Sequence, residues 1–294
     1  MKCKKEVESV DCVYSDANEG KVLFSLKAQV TVLIPFYNPG RYLREAVKSV
    51  LTQTYINWKL ILIDDCSTDG YLSEIKNFLG DKRIKLLRHT SNQGQSKSLN
   101  TGLNDVNTPF VVQLDADDLF FPHTLDVMVK EAQLQPEKVG VLSGNALIFH
   151  ENNKGKIDRE NIRTGRAYDD TYDFLFTNRT LMPRFYRTSA LRKINGWPTD
   201  DPYGGRYRED MRTLYRLIEH YDFYWIDKVL YKHRRHKSNQ TLQVDIYSEL
   251  IEWSVRDALK RWGDHFSPVF TTTSEGWKRL SRLEPKLEGL EKRR

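Results

Sequence analysis

The first sustained pattern is a β-branched and apolar run, Val30-Thr31-Val32-Leu33-Ile34-Pro35-Phe36, closed by Tyr37-Asn38-Pro39-Gly40. Such a run bounded by turn formers predicts a strand. Leu43, Val47, Val50 and Leu51 then fall on one face of a helix across residues 41–52. The alternation continues with a strand at 59–64, a helix at 72–79, a strand at 84–87, a helix at 96–105 and a strand at 110–114. Strands alternating with helices imply βαβ units and a mostly parallel sheet. In such sheets ligands bind outside the carboxyl ends of the strands. Polar groups gather at those ends here: Phe36-Tyr37-Asn38, Asp64-Asp65, and Asp115-Ala116-Asp117-Asp118.

The second half is less regular. Residues 122–135 predict a helix and 139–149 a strand, whereas 150–165 is polar and reads as a mobile connector. Further strands are expected at 180–186, 223–226 and 229–233, with helices at 189–194 and 209–219. An amphipathic helix at 246–262 precedes a basic tail, and the first 28 residues show no sustained period. There is no internal repeat.

Length bounds the architecture: 294 residues allow one large α/β domain or two smaller ones. A chain with 39% hydrophobic and 29% charged residues folds without help from disulfides. Cys3, Cys12 and Cys66 are scattered and make no metal-type pair. No apolar run reaches the roughly 18 residues of a membrane span, and the lysine-bearing start lacks a signal-type apolar stretch. A soluble, cytoplasmic protein is expected. The formal net charge is +6, but residues 277–294 carry seven Lys/Arg against three Glu, so the body is nearly neutral. That distribution argues against nucleic acid and leaves the tail for a solvated end or peripheral contact with an anionic membrane.

Asp115 and Asp117, two residues apart where a strand ends, can share a hard cation or its water shell. Asp118 can instead cap the helix that follows or hold the loop. Residues 65–76 resemble a calcium loop until Lys76, which stands where a bidentate Glu is required, so that reading fails. Asp69 is then expected to cap the helix at Leu72, with Asp64 and Asp65 both free to face the crevice. No dinucleotide glycine pattern, phosphate-loop core or zinc-protease motif is present. Glu209-Asp210 at a helix start also suits the helix dipole without any catalytic role. Tyr231-Lys232-His233-Arg234-Arg235-His236-Lys237 is either a solvated basic strand end or a cationic match for a diphosphate.

Taken in order, the segments 30–38, Asp64 to Asp69, Asn92-Gln93-Gly94, Leu114 to Asp118 and Glu209-Asp210 resemble family 2 glycosyltransferases, most closely the bacterial SpsA type. The resemblance runs from about residue 29 to residue 241. It implies a GT-A fold: a Rossmann-like nucleotide-binding sheet with a mixed acceptor-binding half and a C-terminal helical extension. The corresponding boundaries are 1–28 for an N-terminal extension, 29–241 for the catalytic domain and 242–294 for a helical extension with a basic tail. The implied activity is inverting transfer from a nucleotide-diphospho-sugar, typically a UDP-sugar, to the hydroxyl of a carbohydrate or other acceptor, in polysaccharide or glycoconjugate synthesis. The resemblance places Phe36, Tyr37 and Asn38 around the nucleotide, Asp65 on the base and Lys97 nearby. It puts Asp115 on the ribose or the metal shell, Asp117 on Mn²⁺ or Mg²⁺, and Asp210 as general base. His236 falls at the family's histidine near the diphosphate and metal, with His233 as its rival. Arg184, Trp197, Tyr203 and Tyr207 are possible acceptor contacts or ordinary packing, and residues 150–165 and 200–208 are expected lids. A nucleotidyltransferase on a related fold and a non-catalytic nucleotide binder remain the alternatives.

Overall fold

The computed structural model describes residues 27–152, 154–177, 180–237 and 239–286. The elements in order are β1 (Val30–Phe36), α1 (Tyr42–Leu51), β2 (Trp58–Asp64), α2 (Leu72–Ile75), β3 (Ile84–Arg88), α3 (Gln95–Asp105), β4 (Phe110–Gln113), β5 (Leu119–Phe120) and α4 (Thr124–Leu134). They continue with β6 (Val139–Glu151), β7 (Ile157–Arg163), α5 (Thr171–Leu175), β8 (Met182–Arg187), α6 (Thr188–Lys193), α7 (Glu209–Leu217), β9 (Asp222–Arg235), α8 (Val244–Arg261), β10 (Phe266–Thr272) and β11 (Lys278–Pro285).

One sheet runs in the order β3-β2-β1-β4-β8-β6-β9-β5, with β7 paired to β6. Its first four strands are parallel, and β8 lies antiparallel to both β4 and β6. Every residue of β1 is buried, and its two faces feed two different cores. Val30, Val32, Ile34 and Phe36 join residues of α1 and α4, including Val47, Leu125 and Met128. Leu33 joins Leu99 and Leu103 of α3, Leu214 of α7, and Val255 and Leu259 of α8. Helices cover both faces, which is why the parallel strands read as continuous apolar runs. The α/β expectation holds, with the parallel strands at one end and the mixed pairing at the other.

The departures have identifiable causes. The expected connector at 150–165 holds the end of β6 and all of β7, paired from Ala146 with Arg163 to Glu151 with Ile157. Almost every side chain of β7 is exposed, so its pairing rests on backbone hydrogen bonds and leaves no apolar alternation to detect. The strands expected at 223–226 and 229–233 are one continuous β9, whose register against β6 shifts around Ser143 to Ala146. The helix expected at 72–79 is the single turn α2.

The C-terminal region is a helix followed by a hairpin, β10 with β11. Leu280 of β11 joins the same buried cluster as Leu33. Residues 1–26 of the expected extension and residues 287–294 of the expected basic tail lie outside the described residues. Among the described residues no helix is long and apolar enough to cross a membrane.

Candidate active site

The carboxyl ends of β1, β2 and β4 open into a cleft of about 1460 Å³, which Phe36, Tyr37, Asn38, Asp65, Asp115, Asp117, Asp210 and His236 all line. Its near wall is a set of interlocked loops. Asn38, in the left-handed region at φ 49°, accepts the backbone N–H of Thr68 at 2.7 Å through its side-chain oxygen. Its own N–H donates to Ser67 Oγ at 2.9 Å. Tyr37 is 53% exposed, whereas the Phe36 side chain packs in the core beneath it.

Asp65 is buried and ties the next loop down. Its carboxylate accepts the N–H of Gln93 at 2.8 Å and of Gly94 at 2.7 Å, and His89 Nδ1 lies 2.8 Å away. Gly94 has φ +93°, and a Cβ there would lie 2.6 Å from Arg206 Cγ. Only glycine meets both conditions at little cost.

Asp64 does not reach the cleft, contrary to expectation. Burial alone would raise its carboxyl, but hydrogen bonds from Ser67, Tyr71 and Arg88 outweigh it and hold the group below the usual range. Asp69 accepts the N–H of Tyr71, just before α2, at 3.3 Å, as expected for a residue at that helix start. It also accepts the N–H of Gly40 at 2.7 Å and so braces the first loop. Lys97 is a further correction. Gln95 and Ser98 of α3 line the cleft, but Lys97 is exposed to solvent and does not line it. Helical phase turns it away from the face that carries its neighbours.

Beyond β4 the chain makes a tight turn in which Asp118 N–H donates to Asp115 O at 3.0 Å. Asp118 is buried, accepts Arg234 N–H at 2.7 Å, and holds this loop against β9 rather than capping α4. Burial, with Asp117 and Asp115 close by, pushes its pKa well above the carboxylate range. Arg234, also buried, donates to the Asp117 carbonyl at 2.8 Å and pairs with Glu45 at 2.6 Å and with Glu151. The acidic turn is therefore closed by its own Asp118-to-Asp115 hydrogen bond and anchored on β9 through Arg234.

Asp117 Oδ2 and His236 Nε2 stand 3.0 Å apart. The His236 ring stacks on Tyr42 with centroids 4.6 Å apart, and Asn239 Nδ2 donates to Asp117 at 3.1 Å. The spacing equals that of adjacent ligands on an octahedral cation with bonds of about 2.1 Å. The carboxylate oxygen suits a hard cation such as Mn²⁺ or Mg²⁺, and the imidazole suits transition-metal ions. Among the described residues no set of three or more His, Cys, Asp and Glu is placed to hold a metal. A cation held by this pair would have to take its remaining ligands from substrate and water. His233 faces Asp118 instead, at 3.7 Å, and its ring nitrogens are buried without a hydrogen-bond partner. Burial, followed by the nearby Arg235 and Arg163, pushes it firmly to the neutral form.

A third cluster lies at the start of α7. Asp210 accepts from Arg184 Nη1 at 3.3 Å, and Arg184 Nη2 reaches Asp115 at 2.7 Å. Gln113 Nε2 repeats the bridge, donating to both Asp115 and Glu209 at 3.1 Å. Burial, and then the charge of Asp210, raise Glu209 to about 7. Arg184 is 3% exposed within the otherwise buried strand β8. Its role as a bridge was hidden in the sequence, although a charge inside a buried strand was a visible signal. Gln113 carried no such signal. Trp197, by contrast, is 1% exposed and packs in the core with its ring against Tyr186.

The loop at 200–208 is not a free lid. Asp201 accepts the N–H groups of Tyr203 at 2.8 Å and Gly205 at 2.6 Å and pairs with the buried Arg212. Gly205 O accepts Ser96 N–H at 2.9 Å, so the loop is fastened to the start of α3.

The fold and cleft define an α/β protein whose crevice is lined by an aspartate–histidine pair, Asp117 with His236, and by a carboxylate cluster of Asp115, Glu209 and Asp210. The sequence profile described as "Glycosyl transferase family 2" matches residues 31–195. The chain belongs to this family. A putative glycosyltransferase EpsE of Bacillus subtilis is 40% identical over 103 residues, 34% of this chain and 37% of that protein. The UDP-Glc:alpha-D-GlcNAc-diphosphoundecaprenol beta-1,3-glucosyltransferase WfgD of Escherichia coli is 31% identical over 123 residues, 42% of this chain and 47% of that protein. These matches cover less than half of either relative's length. Among solved structures, S. aureus TarS 1–349 with UDP superposes with a TM-score of 0.58 at 18% identity, over 79% of this chain and 65% of TarS 1–349. The mannosyltransferase PcManGT from Pyrobaculum calidifontis, with GDP-Man and Mn²⁺, gives 0.58 at 19% identity, over 80% of this chain and 65% of that one. At such identities the structural likeness speaks for the fold.

Proposed function

We propose that this chain transfers a sugar, with inversion, from a nucleotide-diphospho-sugar to an acceptor hydroxyl, and that UDP is the nucleotide. The observation that carries the reading is the placement of two opposed electrostatic devices in one cleft: the Asp117–His236 pair and the Arg184-braced Asp210. A UDP-sugar is supported by the names of WfgD and of the TarS complex, with the GDP-Man of PcManGT as the competing case.

The loops carrying Tyr37, Asn38 and Asp65 form the nucleotide wall. Asp65 spends hydrogen bonds on the 93–94 backbone, so its contact with a base uses the acceptor positions that remain. Asp117 and His236 would hold the cation, which when bound neutralises charge gathering on the departing diphosphate. Asp210 takes the proton of the attacking hydroxyl, a step worth about 10²–10⁴-fold in rate. Arg184 holds that carboxylate and Asp115 in fixed relation, leaving Asp210 partly exposed at 17% of its side-chain surface. Donor and nucleophile are thereby oriented before reaction, and this positioning supplies a further large share of the acceleration.

The test is calorimetric titration with UDP, dTDP and GDP, each with and without Mn²⁺. One nucleotide should bind in a metal-dependent manner, and Asp117→Ala should weaken it at least tenfold. Asp210→Asn should keep that affinity while losing transfer by about 10²-fold or more. Failure of every nucleotide to bind, in any condition, would overturn the proposal.

A further inference from the structure

The C-terminal helix and hairpin contribute side chains to the cleft as well as covering the core. Tyr247 of α8 and Trp277, immediately before β11, line the same cleft as Glu209 and Asp210, and so does Tyr207 from the pinned loop. The rings of Tyr207 and Tyr247 have centroids 6.1 Å apart, and those of Tyr247 and Trp277 are also 6.1 Å apart. All three are half-buried. Tyr203 extends the row, 5.7 Å from Tyr207.

This row is held from behind. Ser248 Oγ donates to Gly276 O at 2.8 Å and accepts Lys278 N–H at 3.2 Å, clamping the hairpin turn on both sides of Trp277. Lys278 also pairs with Glu252 of α8. Tyr203 Oη donates to Glu249 at 2.6 Å, and the buried Arg208, which directly precedes Glu209, reaches Ser254 of α8 at 3.4 Å. The catalytic end of α7 and the aromatic row are thus fastened to one helix. The Tyr247 phenol is pushed upward first by burial and then by the charges of Glu209 and Asp210, consistent with its place beside the acidic pair.

We propose that Tyr207, Tyr247 and Trp277 form an acceptor subsite that stacks against a pyranose ring and presents its hydroxyl to Asp210. This rests on the reading of Asp210 as the base. Tyr and Trp combine an apolar face with a polar edge, and a pyranose has the same division between its C–H face and its hydroxyl rim. A lipid chain needs a continuous apolar patch, whereas this row is interleaved with Arg208, Glu209 and Asp210. The proposed nucleotide loops are those of Tyr37, Asn38 and Asp65, whereas Tyr247 and Trp277 enter the same cleft from α8 and the hairpin turn, beside the acidic pair, and are free to serve the acceptor.

The experiment is saturation-transfer NMR on the full chain with UDP and Mn²⁺, using methyl glucoside, methyl galactoside and methyl N-acetylglucosaminide as probes. Wild type should transfer saturation to the C–H protons of one ring face of at least one glycoside. Trp277→Ala should reduce this at least fivefold, and Trp277→Phe, which keeps a ring, should restore most of it. Calorimetric affinity for UDP should be unchanged in both variants. Full saturation transfer in Trp277→Ala, or none to any glycoside in wild type that binds UDP, overturns the subsite while sparing the donor reading. Absence of nucleotide binding in wild type overturns both.

Discussion

The two walls of the cleft are built by different means. The nucleotide wall is made of short loops that follow β1, β2 and β3, locked by contacts such as Asn38 with Ser67 and Thr68, and Asp65 with Gln93 and Gly94. These partners are about 30 residues apart, the length of one βαβ unit. The opposite wall joins β4, β8, α7 and α8 through Arg184, Gln113 and Arg208, across separations of up to 96 residues. Local loops on a parallel sheet make a nucleotide site by repetition of one unit. The reactive carboxylates instead depend on buried charges whose partners come from elsewhere in the chain, so the two walls should fail differently when perturbed.

The sharpest contrast is expected at Arg184. Its removal leaves Asp115 and Asp210 without their buried cation, and breaking such a pair costs about 3–5 kcal/mol. Arg184→Ala should lower the melting temperature strongly and abolish measurable transfer. Arg184→Lys should recover part of the stability but less of the rate, because an ammonium cannot reproduce the two-pronged bridge. Wild-type transfer in Arg184→Ala would refute the bridge.

Gly94→Ala probes the other wall. It combines a positive φ with a contact of 2.6 Å to Arg206, a strain on the order of 1–3 kcal/mol. Nucleotide affinity should fall several-fold and acceptor affinity by less, because Arg206 directly precedes Tyr207 and passes on part of the displacement. Equal loss on both sides would show that the walls are not independent.

A smaller effect comes from pH. Glu209 rises from 4.5 to about 7 on folding, chiefly through burial and then through Asp210. The folded state therefore holds this proton more tightly, and its contribution to stability falls as pH rises from about 4.5 to about 7. Glu209→Gln removes that loss. Relative to wild type it should gain on the order of 1 kcal/mol or more between pH 5 and pH 8, read by thermal unfolding at each pH. A pH-independent difference would place the titration elsewhere. The smallest effect is at Lys97, which is exposed and off the cleft: Lys97→Ala should leave nucleotide affinity within twofold of wild type.

Much of this molecule is legible in its sequence. The strands β1, β2 and β4 announce themselves as apolar runs because helices cover both faces, and the polar groups after them mark the edge where the cleft opens. Asp115 and Asp117 were named from position in that pattern, Asp210 and His236 from the resemblance to the family, and the structure brings all four to one cleft. What escaped was of two kinds. β7, with its exposed side chains, and the hairpin of β10 and β11 pair through the backbone, which carries no residue signature. Gln113, Tyr247 and Trp277 acquire their places only through long-range packing, and so does the bridging role of Arg184, a residue named from the sequence for a different role.

Lys97 shows the limit from the other side. A cation close in sequence to a glycine loop is an attractive nucleotide contact, yet one helical turn decides whether it faces ligand or water. Asp64 shows the same for its pair with Asp65, where alternate residues at a strand end point to opposite sides. The sequence by itself determined the parallel half and the chemical types at its edge, because burial on two faces and the period of strand and helix are local properties of the chain. The tertiary structure alone decided which carboxylates are braced, which histidine meets Asp117, and that the C-terminal hairpin turn brings Trp277 to the cleft. Those are contacts between distant segments, and their energy depends on desolvation and geometry that no local pattern contains.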